Sequence, residues 1–159
     1  MTSVGGCSAV ASIGSKAFYK CTKLKYIGSN ESRITLAKIK TIGASAFQGC
    51  TTFTYVNLSS TALTSIGSKA FYGCTKLKTF VSKSSKLNSI GSKAFYGDKK
   101  LASVTLRTSK LTSSNVGSSA FKGISSTCTF KVPSKKVTAY KKIFKAKGAG
   151  SKIKVKKIS

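Results

Sequence analysis

"IGSKAFYGCTKLK", residues Ile66–Lys78, nearly repeats "IGSKAFYKCTKLK", residues Ile13–Lys25, with Lys20 standing where Gly73 stands. "IGSKAFYG" recurs without change at Ile90–Gly97. Aligned on the Phe of each Ala-Phe pair, the copies fall at Phe18, Phe47, Phe71, Phe95 and Phe121, in steps of 29, 24, 24 and 26 residues. A self-similar period in the twenties marks a stack of small units rather than one folded sheet or bundle.

Apolar residues keep register around each Phe. Five residues before it come Ile13, Ile42, Ile66, Ile90 and Val116, and nine after it come Ile27, Val56, Phe80, Val104 and Phe130. No single unit can bury such anchors alone, but stacked units make a continuous core. "FTYVNL" (Phe53–Leu58) and "LASVTL" (Leu101–Leu106) are rich in β-branched and aromatic residues and alternate at their ends, so each predicts a short strand. In "SKAFYGC", Phe71 and Cys74 lie three apart and Ser68 is placed to cap, which predicts one helical or 3-10 turn.

The long first step holds "SNESRIT" (Ser29–Thr35), expected to bulge from a loop, and "TSSN" (Thr112–Asn115) holds the extra residues before Phe121. "GGCSAV" near the start reads as the stump of an earlier repeat. The pattern stops at Pro133, the only proline. After it, Val137, Tyr140 and Phe144 fall on one helical face, and "KIKVKKI" (Lys152–Ile158) opens by alternating, as a half-buried strand does. The expected fold is a β-rich α/β solenoid, a superhelix with parallel strands on one face and short helical or 3-10 turns on the other. Residues 1–132 would form five repeats, the first truncated or preceded by a partial one, and residues 133–159 a helix–strand C-terminal cap.

"SIGSKAFYGCTKLKTF" and "TIGASAFQGCTTFTYVNL" resemble the BspA-type leucine-rich repeat over Val10–Val132, and the Lys-rich tail is similar to caps that follow such repeats. The proline usual after the strand is replaced by Ser or Thr, and Asp98 and Ile124 replace the Cys of the last two repeats. The resemblance implies a surface-exposed or secreted recognition or adhesion module that binds host matrix proteins or other cells. It brings no catalytic residues and no cofactor.

The chemistry-bearing residues point the same way. Cys21, Cys50 and Cys74 each follow a repeat Phe by three, a position also filled by Ile124 and Asp98, so it reads as a packing site for small buried groups. All five cysteines are expected to be reduced. Metal-ligand spacing is lacking, and the chain contains no His, so neither a metal site nor a hydrolase triad is expected. The two acids, Glu31 and Asp98, are expected to be ordinary surface groups and too few for a glycosidase pair. No apolar run is long enough to span a bilayer, and "MTSVGGCSAV" lacks the parts of a signal peptide.

Against those two acids stand 29 Lys and Arg, a net charge of +27. Many Lys recur in register, so stacking makes rows of them: Lys16, Lys69 and Lys93, for example. Such rows protect exposed edges, but the total points to an anionic partner. The candidates are a protein or acidic glycan at a cell surface, with non-specific nucleic-acid binding as the alternative. Only two Arg and no Trp argue against base readout. The chain is expected to act as a monomer.

The binding surface is expected on the strand face, at the outward positions eight and ten residues after each Phe. Those give Tyr26, Tyr55, Asn57, Thr79, Ser103, Thr105 and Lys131, flanked by Lys25 and Lys78. Tyr26 and Tyr55 would share one row, either as an aromatic and cationic patch or as a plain cross-strand pair.

Overall fold

The computed structural model describes residues 3–4, 10–24, 26–27, 34–35 and 38–158. Along it run twelve short strands: β1 (Ser3–Val4), β2 (Ser12–Ile13), β3 (Tyr26–Ile27), β4 (Ile34–Thr35), β5 (Thr41–Ile42), β6 (Tyr55–Leu58), β7 (Ser65–Ile66), β8 (Thr79–Ser82), β9 (Ser89–Ile90), β10 (Ser103–Leu106), β11 (Thr129–Val132) and β12 (Lys154–Lys157). Every pairing is parallel. One sheet has the order β12-β11-β10-β8-β6-β4, a second β2-β5-β7-β9, and β1 pairs with β3. The chain is a solenoid whose coils repeat the same residue at the same height.

Each full coil therefore lays down two strands, where the sequence predicts one. The second sheet comes from the Ile-Gly step: Ile13, Ile42, Ile66 and Ile90 align in register, and Val116 extends the row by a single bridge. All five side chains are buried. Where a coil precedes it, the Gly that follows this row (Gly43, Gly67, Gly91 and Gly117) has a steric cause. A Cβ on Gly91 would lie 2.3 Å from the Ser68 amide nitrogen of the preceding coil, so only hydrogen allows the coils to close to sheet spacing.

The "SKAFYGC" segments are chains of turns, and a left-handed residue keeps them from running on as helix. N–H groups of Ala70, Tyr72 and Cys74 donate within the coil to Gly67, Lys69 and Phe71, the three-residue closure of a 3-10 turn. The alternate N–H groups of Lys69, Phe71 and Gly73 donate instead to Ser92, Ala94 and Tyr96 of the next coil, at 2.8–2.9 Å. Lys69 (φ 57°) and Gly73 (φ 70°) supply the reversals that point successive amides in alternate directions.

The Phe rings form a spine through the core. Phe18, Phe47, Phe71, Phe95 and Phe121 stack in sequence with centroids 5.2–5.6 Å apart. Beside them, the hydroxyl two residues past β6, β8 and β10 bonds a carbonyl of the coil before: Ser60 to Ile39 at 2.8 Å, Ser84 to Leu63 at 2.7 Å and Thr108 to Leu87. All three residues are buried, and the bonds satisfy carbonyls that would otherwise be stranded in the core.

After Pro133, a 3-10 helix (Ser134–Lys136) and α1 (Val137–Ala146) close the stack. Phe144 continues the spine, packing 5.2 Å edge-on to Phe121 and 4.3 Å face-to-face with Phe130. Tyr140 ends the hydroxyl ladder: its O–H donates to the Thr108 carbonyl and accepts the Leu111 N–H, both at 3.0 Å. The amphipathic helix is thus a lid with one residue for each ladder it terminates.

The insertion "SNESRIT" does not simply bulge. Its end, Ile34–Thr35, is β4 and takes the ladder position beside β6, pairing Ile34 with Val56. Apolar Ile34 and β-branched Thr35 are well suited to a sheet position, and a step of 29 residues, five longer than 24, leaves chain to reach it.

Candidate interaction surface

In-register parallel strands turn repeat positions into straight rows. The outward positions of β6, β8, β10, β11 and β12 give one row of Tyr55, Thr79, Ser103, Thr129 and Lys154. A second row holds Asn57, Val81, Thr105, Lys131 and Lys156. Successive members stand about 4.8 Å apart, the strand spacing of any sheet. Both rows change character along the solenoid: hydroxyl and amide groups over the middle coils, then ammonium groups at the C-terminal end. Lys131, Lys154 and Lys156 are exposed, whereas Tyr55, Thr79, Ser103 and Thr105 are half-buried between their neighbours.

Of the residues expected to form the site, Tyr55, Asn57, Thr79, Ser103, Thr105 and Lys131 lie on this face in two adjoining rows. Lys78 is exposed just before β8, and its carbonyl accepts N–H groups from Ala102 and Ser103 of the next coil at 2.9 and 3.1 Å. Lys25 lies outside the described residues. The expected shared row of Tyr26 and Tyr55 is corrected by the register: Tyr26 pairs with Ser3, and β4 stands beside β6 where β3 was expected. Sequence reasoning missed Lys154 and Lys156, which lie beyond the last repeat. Their signal was the Lys-Ile-Lys-Val-Lys alternation, which puts the lysines on one side of the strand.

The electrostatics of the surface are one-signed. Glu31 lies outside the described residues, and Asp98 is not the surface group it was expected to be: it is buried in the cysteine row. Its Oδ1 accepts the Cys74 N–H at 2.8 Å, and its Oδ2 has no partner. Burial, opposed only by that N–H, raises its carboxyl well above the usual carboxylate range. Among the described residues, then, no acidic side chain faces the surface lysines.

The cysteine row is packing material. Cys21, Cys50, Cys74 and Cys128 are free thiols, and Cys7 lies outside the described residues. Cys50 and Cys74 donate their S–H to the carbonyls of Phe18 and Phe47 at 2.9 and 3.2 Å. Burial pushes the thiols of Cys50 and Cys128 up to about 12, out of the range where a thiolate could act at neutral pH. Among the described residues no group of three or more His, Cys, Asp or Glu could hold a metal ion, and no helix is long and apolar enough to cross a membrane.

A parallel solenoid with short two-sheet coils, a stacked Phe spine and a helical lid defines the chain as a leucine-rich-repeat protein. It belongs to the family described as BspA type Leucine rich repeat region, whose pattern matches residues 1–39 and 29–150 in six copies. Among solved structures it is similar to a Leucine Rich Repeat protein of T. pallidum, with a TM-score of 0.65 and 24% identity over 82% of this chain and 58% of that one. It is also similar to a leucine-rich repeat protein of Bacteroides ovatus ATCC 8483, with a TM-score of 0.54 and 17% identity over 100% of this chain and 54% of that one. The chain spans a little over half the length of each. No curated protein matches it. The family identifies a protein-interaction repeat module of a typically surface-associated type, and such repeats are generally non-catalytic binding scaffolds.

Proposed function

We propose that the strand face is the recognition surface of a surface-exposed or secreted adhesion module, and that its partner is an anionic protein. One observation carries this reading: the two outward rows end in Lys131, Lys154 and Lys156, with no acidic side chain among the described residues to neutralise them. A protein partner fits the mixed character of the rows. Hydroxyls over the middle coils offer hydrogen bonds of fixed spacing, and the lysines at one end set orientation and raise the association rate.

The test is retention of the chain by a panel of immobilised extracellular-matrix proteins, by heparin and by random-sequence DNA across a salt series. The double variant Ser103→Leu/Thr105→Leu removes two hydroxyls and adds bulk in the middle of the face without changing its charge. It is expected to abolish retention by protein while leaving heparin and DNA retention intact. Undiminished protein binding by the variant refutes the face. Retention by heparin and DNA alone, falling steeply with salt, would instead mark a non-specific polyanion binder.

A further inference from the structure

Among the described residues, strand β12 is the outer margin of the six-stranded sheet. Its Lys154 N–H donates to the Cys128 carbonyl at 3.0 Å, and the Ile158 N–H that follows it donates to Val132 at 2.9 Å. The even-numbered residues therefore spend their backbone groups on β11. In a parallel ladder the alternate residues face the opposite way, so Val155 and Lys157 turn their N–H and C=O outward, away from the sheet. The margin is open: Lys154, Lys156 and Lys157 are exposed and Val155 is half-buried.

We propose that this margin takes up an acidic, extended segment of a partner protein as an added strand. Outward N–H and C=O groups supply main-chain bonds to any extended peptide, and side chains decide which peptide is admitted. Here the side chains discriminate by charge. A second copy of β12 would set lysine opposite lysine, and like charges directly opposed across strands are unfavourable. An acidic strand reverses that sign. Its carboxylates would stand opposite Lys154 and Lys156 on the outward face, with Lys131, the cross-strand neighbour of Lys156, one strand further in. Between them, the position opposite Val155 faces the core side and suits an apolar residue. The admitted pattern is acid–apolar–acid. Nucleic acid would meet the same charge but has no strand backbone to offer. The proposal shares Lys154 and Lys156 with the strand-face reading, but its main-chain contacts lie on a separate surface, the outward backbone of the margin.

The test uses the full chain and a short labelled peptide alternating Glu and Val, with two measurements: fluorescence anisotropy and residue-resolved amide exchange. The peptide is expected to bind and to slow exchange at Val155 and Lys157. Backbone N-methylation of the same peptide should abolish binding. Lys154→Glu/Lys156→Glu should weaken it by about tenfold or more, two ion pairs becoming like-charge pairs, with an unchanged far-ultraviolet dichroism spectrum. Ser103→Leu/Thr105→Leu, which leaves the charge unchanged, should bind it as the parent does, which separates this margin from the face. Failure to bind overturns the proposal. So does binding that leaves the Val155 and Lys157 amides unprotected, or that survives N-methylation, since either would be charge attraction alone.

Discussion

Asp98 offers a perturbation whose size follows from its surroundings. It is fully buried at a position where other coils place Cys, between Cys74 of the preceding coil and apolar Ile124 of the next. Cys50 and Cys74 each donate to the carbonyl of the repeat Phe one coil earlier, so the equivalent acceptor for residue 98 is the Phe71 carbonyl. A neutral carboxyl can donate to it, whereas a carboxylate cannot and would be buried without a cation. The native chain thus holds a proton at Asp98 that the unfolded chain releases above a pH of about 4. Stability is fully present below that pH and falls as pH rises toward the raised native value, by about 1.4 kcal/mol per pH unit for one proton. The window is unusually clear, because the chain has no His and only one other acid, Glu31. Urea unfolding at a series of pH values from about 4.5 upward should therefore show stability falling as pH rises, until the raised native value is passed. Asp98→Asn keeps the shape, can donate its amide to Phe71 and accept from Cys74, and should flatten the profile. It should also leave the protein more stable than the parent at neutral pH, by about as much as the parent loses as the pH rises to neutral. A parent profile that is already flat, or a slope that survives in Asp98→Asn, refutes the reasoning.

Two further outcomes are expected. Gly91→Ala should cost about 1–3 kcal/mol or more, because its Cβ would fall 2.3 Å from the Ser68 nitrogen and the coils must part; Gly73→Ala, with open space but a φ of +70°, should cost about 1–2 kcal/mol. A smaller shift in thermal midpoint for Gly91→Ala than for Gly73→Ala would contradict the close-approach account. Treatment of the native chain with a thiol reagent, mapped by peptide mass spectrometry, should modify half-exposed Cys21 and spare Cys50, Cys74 and Cys128 until unfolding; labelling of all four at one rate would show that these thiols are not core.

What the sequence made legible was whatever recurred. The Phe spine, the Ile row and the outward positions eight and ten residues after each Phe repeat often enough for chance to be dismissed, and packing needs them at fixed spacing. The second sheet was hidden because two residues, Ser65–Ile66, are too short to show a period. The turn geometry was hidden because Lys69 occupies a left-handed position usually marked by Gly or Asn. The register at β4 could not be read either, since Ile34–Thr35 sits in a polar stretch with no counterpart in other coils. At the surface, the middle of each row was legible and its C-terminal end was not, because Lys154 and Lys156 belong to a strand outside the repeat. Asp98 was legible as an occupant of the cysteine position, but its burial contradicts the habit of placing carboxylates in solvent.

The alternation of amides in the turns has a mechanical consequence. Each coil is fastened to the next along several edges at once, by two strand ladders and by every second N–H of the turns. A load applied along the stack does not shear these fastenings together but opens them one coil after another. A coil of 24 residues, once peeled away, pays out about 80 Å of extended chain while the coils behind it stay folded. A tether built this way lengthens in steps under tension instead of failing at a single threshold.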